Sequence, residues 1–263
     1  MIKKLFNLEE NTREKFKKHF IKSVVVNIAF SNLSKQCILK NEEYLKTEFK
    51  KLGFDQSGQI KQVEFTMSIE DEKPKKLTNE ENVTGLLFNN QRLMKNLEII
   101  ENSVICVDNQ YEGFEFFAEN IENIISVINK ISLANNSIEK LGFRKVNSFV
   151  STETQNFETI TELVNDSVFA PLRTNLIDIS NFKEHIETII VENEHCKSRL
   201  IFACTKTNPN EFRVNIDLDL IDNKLCNRYD IVKRIETLNN VAYNLFIWST
   251  TSKFRNIMND TGE

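Results

Sequence analysis

Two aspartates stand two positions apart in the segment Asn215-Ile216-Asp217-Leu218-Asp219, with Asp222 close behind. On a β-strand, positions i and i+2 share a face, so Asp217 and Asp219 project together. Paired carboxylates can hold a hard cation such as Mg²⁺ or divide the work of general acid and general base. Beside a lysine, such a pair suits a metal-dependent hydrolase of nucleic acid or nucleotides. The sequence places no lysine there, and the plainer reading is a solvated or salt-bridged pair.

Arg144 and Asn147 lie three apart on an expected strand and therefore face opposite ways. Read functionally, they hold an anionic ligand or a partner carboxylate. Read structurally, they tie their strand to the helix before it. His195 and Cys196 are adjacent, and Cys204 falls on the next expected strand. A structural zinc needs four ligands at recognisable spacing, and neighbours on one strand diverge too far for a Cys–His catalytic pair. The chain has no GxGxxG, P-loop, HExxH or GxSxG motif, and its six glycines leave little material for a phosphate-cradling loop. No catalytic residue, metal ligand or cofactor site is therefore assigned.

The densest run of positive charge is near the N-terminus: Arg13, Lys15, Lys17, Lys18 and Lys22, preceded by Lys3 and Lys4 and interrupted by Glu9, Glu10 and Glu14. Lys15, Lys18 and Lys22, at spacings of three and four, share one side of a helix. Phe16 and Phe20 would anchor a neighbouring stripe. Charge runs are most often solvated faces. The functional reading is a basic ridge meeting RNA or DNA phosphates or an acidic protein.

The elements that must position these residues follow from the patterning. With 263 residues, 40% of them hydrophobic and 27% charged, the chain can bury a sizeable core as one large domain or two apposed lobes. Strands are expected at 23–33, 59–69, 83–89, 93–101 and 103–108, a helix at 41–52 capped by Asn41, and an exposed charged loop at 70–82 holding Pro74. The clearest helix is 113–135, where Phe114, Phe117, Ile121, Ile124, Ile125, Ile128 and Ile131 recur at helical spacing and Asn135-Asn136 ends the run. A strand at 138–150 follows. Residues 151–183 read as a connector with a short helix near 157–164. Strands at 185–192, 198–206 and 211–221 and a long helical segment over 229–258 complete the chain. The expected fold is α+β, with two similar lobes, each an antiparallel sheet packed on a long helix. An N-terminal lobe spans 1–150 and a C-terminal lobe spans 184–263, packed on the first.

A formal net charge of -4 and a pI near 5.7 argue against a general nucleic-acid coat. Asn, Ile, Lys and Phe are abundant, as AT-rich codons favour, which points to an AT-rich bacterium, phage or mobile element. The five cysteines, Cys37, Cys106, Cys196, Cys204 and Cys226, are odd in number and form no CxxC. Free thiols in a reducing cytosol fit them best. No apolar run is long enough for a membrane span, and the first residues lack the apolar stretch of a signal peptide. The expected location is cytoplasmic.

Several segments taken together resemble a known family. Gly85-Leu-Leu-Phe-Asn-Asn precedes Tyr111-Glu-Gly-Phe-Glu-Phe-Phe, followed by Leu141-Gly-Phe-Arg-Lys-Val-Asn, Asn215-Ile-Asp-Leu-Asp and Leu238-Asn-Asn-Val-Ala-Tyr-Asn-Leu-Phe. This order, over about 23–258, resembles the uncharacterised prokaryotic "sporadically distributed protein" family. At the Leu141 block, Leu141, Gly142, Arg144 and Asn147 agree with the family pattern, while Phe143, Lys145 and Val146 depart from it. The family implies no activity. Its patchy distribution is like that of defence, counter-defence and toxin-neutralising genes. The functional expectation is a non-enzymatic binding protein that inhibits or neutralises a partner protein or ribonucleoprotein, such as an anti-CRISPR-like inhibitor, antitoxin or immunity protein. The alternatives are the hydrolase using Asp217 and Asp219, and an RNA-binding module using the N-terminal lysines.

Overall fold

The computed structural model describes residues 2–70, 73–132, 137–151, 157–173, 181–208, 211–227 and 230–260. Its strands are β1 (Ile21–Phe30), β2 (Gln56–Glu70), β3 (Lys73–Asn90), β4 (Lys95–Ile100), β5 (Ser103–Asp108), β6 (Ile138–Ser151), β7 (Glu184–Glu192), β8 (Cys196–Asn208) and β9 (Glu211–Asp222). Its α-helices are α1 (Lys35–Lys40), α2 (Glu42–Lys51), α3 (Phe114–Ile131), α4 (Phe157–Leu163), α5 (Ile231–Ser249) and α6 (Ser252–Asn259). The strands form one antiparallel sheet in the order β2-β3-β4-β5-β1-β6-β9-β8-β7. The first strand of each half, β1 and β6, thus lie side by side at the centre.

Alternation along the strands decides which face is buried. Val24, Val26, Ile28 and Phe30 of β1, Leu141, Phe143, Asn147 and Phe149 of β6, and Phe212, Val214, Ile216, Leu218 and Leu220 of β9 point into one core. The helices cover this face. Phe49 of α2 meets Phe88, Phe117 of α3 meets Phe143, Trp248 of α5 meets Phe202 and Phe254 of α6 meets Phe149. In α3 the expected core positions Phe117, Ile121, Ile124, Ile125 and Ile128 are buried, while Phe114 is only partly so. Asn135-Asn136 lie outside the described residues.

Three expectations need correction. Of the expected loop 70–82, Glu70 and residues 73–82 are strand, because β2 and β3 pair from Gln56↔Asn89 out to Glu70↔Lys73, and residues 71–72 lie outside the described residues. Ladder pairing is a backbone property and needs no apolar side chain. Pro74 sits opposite Ile69 at a register irregularity, where a missing amide is tolerated. Second, the helical run 229–258 is interrupted at Thr250 and Thr251 without glycine or proline. Thr250 is extended and its Oγ1 donates back to the Phe246 carbonyl, while Thr251 Oγ1 accepts from Phe254 N–H and starts α6. Third, residues 7–20 hold no helix. Their amides are taken up by other elements: Asn11 N–H donates to Asn244 Oδ1, Glu14 N–H to Tyr243 Oη and Lys18 N–H to the Met258 carbonyl. The segment is an extended strap across α5 and α6. No helix among the described residues is long and apolar enough to cross a membrane.

Candidate functional site

The sheet face opposite the helices carries partly exposed side chains whose positions follow from the register. Val107, Val25, Arg144, Asp219, Arg199 and Ile190 are successive partners across β5, β1, β6, β9, β8 and β7. In the next row stand Ser23, Val146, Asp217, Ile201 and Thr188. Asp217 and Asp219 do share this face. Arg144 grips Asp217 in a bidentate pair, Nε to Oδ1 at 2.8 Å and Nη2 to Oδ2 at 2.6 Å. Asp219 Oδ2 lies 3.5 Å from Arg199 Nη2. Burial raises the Asp219 pKa, opposed by Arg199 and Arg144. Asp222 is held by Arg234 of α5. Among the described residues no group of three or more His, Cys, Asp or Glu could hold a metal ion.

Arg144 and Asn147 face opposite ways, as their spacing requires. Neither ties β6 to the preceding helix, however. Arg144 binds Asp217 of β9 on the open face, and Asn147, buried beneath the helices, donates from Nδ2 to the Ile216 carbonyl at 3.4 Å. Both link β6 to β9, its neighbour in the ladder.

At the end of the sheet, β7 pairs with β8 on one side only among the described residues. Its exposure alternates, and on the open face Ile186 and Ile190 are 56% and 57% accessible. Around them, Arg144, Lys197, Arg199 and Arg213 are interleaved with Asp217, Asp219, Glu184 and Glu192. Lys197 and Glu192 pair at 2.9 Å.

The N-terminal cations are scattered along the strap. Lys15, Lys17 and Lys18 are exposed, and Lys22 is exposed on β1. Because the strap is not helical, the spacing of Lys15, Lys18 and Lys22 does not align them on one ridge. Arg13 is already engaged: its Nη2 lies 3.3 Å from Glu236 and its guanidinium 5.0 Å from the Phe114 ring centre. Phe16 and Phe20 are anchors as expected, Phe16 against Tyr243 and Phe246, Phe20 against Phe254 and Phe149.

Under the strap lies a cavity of about 480 Å³ between the start of α3, α5 and β6. Lys145 of β6 enters it from the core face. Its Nζ donates to Asn239 Oδ1 at 2.6 Å and lies 4.9 Å from the Tyr111 ring centre. Burial, then the Arg13 charge, lowers the Lys145 pKa to about 7. His19, at the cavity edge, is also lowered, mainly by burial and then by Lys145. The sequence reading met Lys145, Asn239 and Tyr111 only within the family blocks and gave them no functional role. A signal was present, since Lys145 shares the inward register of Leu141, Phe143, Asn147 and Phe149.

A scan against protein-family models finds none that matches the chain, and no curated protein matches it.

Proposed function

We propose that the chain is a non-enzymatic binding protein that receives an extended segment of a partner protein along β7 and so inhibits or neutralises that partner. The observation that carries this reading is the outer edge of β7, unpaired among the described residues and flanked by the exposed Ile186 and Ile190. An open edge offers a row of backbone donors and acceptors to an incoming strand, and the alternating side chains supply selectivity. The interleaved charges favour a protein over a nucleic acid, which calls for a cationic surplus. The hydrolase reading is disfavoured by geometry, because Asp217 and Asp219 already have guanidinium partners that a cation would have to displace. The order β1 beside β6, with each half returning to the centre by a meander, supports the further proposal of two lobes of similar construction, provided that the division falls before β6 and not after residue 150. Composition and the family resemblance suit an inhibitor, antitoxin or immunity protein of a mobile element.

The test begins with capture of a partner from lysate of the source organism, followed by its purification and a binding titration. Binding that survives nuclease treatment and weakens at least tenfold in Ile186→Lys/Ile190→Lys, with the melting temperature unchanged, is the expected result. Binding abolished by nuclease, or by Lys15→Glu/Lys18→Glu/Lys22→Glu alone, would replace it with the RNA-binding reading. Self-association that the β7 variant abolishes would make the occupant a second copy and overturn the proposal.

A further inference from the structure

The cavity under the strap is independent of β7 and has a chemistry of its own. A half-buried ammonium has three donors to satisfy. Among the described residues Lys145 has one acceptor, Asn239 Oδ1, and its Nζ lies 4.9 Å and 5.8 Å from the ring centres of Tyr111 and Phe143. No carboxylate forms an ion pair with it among the described residues. The strap contributes Arg13, Lys15 and His19 to the lining, together with Glu14. Glu112 and Glu115 line the opposite side, at the start of α3, and α5 contributes Tyr243; Glu236 of α5, outside the lining, is spent on Arg13. Glu14, Glu112 and Glu115 are exposed at the rim. The interior positive charge is therefore left without a counter-ion, an arrangement that is costly unless something else supplies one.

The same cavity receives the start of α3. Gly113 precedes the helix at φ 147°, a conformation that side-chain-bearing residues rarely adopt, and has no side chain to cap the first turn. The exposed amides of a helix start favour an anion. The remaining walls are apolar and aromatic, chiefly Phe16, Tyr111, Ala242 and Phe246. The volume, about 480 Å³, is that of a small-molecule site.

We infer that this cavity binds a small organic anion, its carboxylate or phosphate group set against Lys145 and the first turn of α3, its apolar body against Phe16, Tyr111 and Phe246. The anion supplies the missing counter-charge, and Asn239 holds the lysine in place. Because the ammonium form is the one that binds, affinity falls as pH rises past the point where Lys145 loses its proton.

The test uses benzoate and phenyl phosphate as probes, with benzyl alcohol as the uncharged control, on the full chain. The expected result is that at least one anion raises the melting temperature at millimolar concentration while benzyl alcohol does not. Its Kd should weaken roughly thirtyfold between about pH 6 and pH 8.5 through the linked proton. The two probes separate carboxylate from phosphate preference. Lys145→Met should lose this binding. Asn239→Asp, which places a carboxylate beside the lysine, should lose it too, and agreement between the two guards against loss of fold as the cause. Equal binding by wild type and folded Lys145→Met, or no shift with either anion, would overturn the proposal.

Discussion

Lys145 occupies an inward strand position between Phe143 and Asn147, where the sheet would ordinarily carry an apolar side chain. Its protonation is therefore linked to stability. The folded pKa is about 7, against an ordinary value of 10.5. Between those values the unfolded chain holds a proton that the folded chain has released. Stability therefore rises with pH through that window, and the full cost of the buried charge is felt below it. Lys145→Met removes the linkage. Denaturant unfolding over a pH series should show a rise for the wild type between pH 7 and 10.5 that is flattened in the variant; parallel profiles would contradict it. The aspartates behave differently. Their shared face was legible from a period of two, but their partners were not, because Arg144 and Arg199 come from strands distant in sequence and only the register brings them close.

Elements with a strong internal period were the most readable. The stripe of α3 and the alternation of β9 give element type directly, and truncation of Phe117, which contacts both Tyr111 and Phe143, should cost roughly 2–5 kcal/mol. An unchanged melting temperature for Phe117→Ala would contradict its place in the core. The elements that were misread are those set by tertiary hydrogen bonds. The strap reads as helical from its spacing, yet Asn244, Tyr243 and Met258 take its amides. Where β2 and β3 pass Lys61, Gln62, Val63, Glu81 and Asn82, all five are exposed and no core imposes alternation. The break between α5 and α6 rests on two threonine hydroxyls. Thr251→Ala should cost about 1 kcal/mol by chemical denaturation, as the loss of a helix cap does; no change would mean that the break is set by packing alone.

At the scale of the whole molecule, helices cover one face of a nine-stranded sheet, the other face carries partly exposed side chains among the described residues, and β2 and β7 stand at its two ends. The antiparallel α+β class was legible in the sequence. The continuity of the sheet across β1 and β6 was not, since no local pattern encodes which strands meet at the centre. The same holds for β7, which reads as an ordinary half-buried strand and becomes distinctive only as an edge with Ile186 and Ile190 exposed. The central claim is that a partner protein adds a strand there. The most direct measurement is amide hydrogen exchange of the chain with and without its purified partner. Strand addition should slow exchange across 184–192, with alternate amides protected most, because only those facing outward gain new acceptors. Protection confined to the strap around 13–22, with β7 unchanged, would contradict the account.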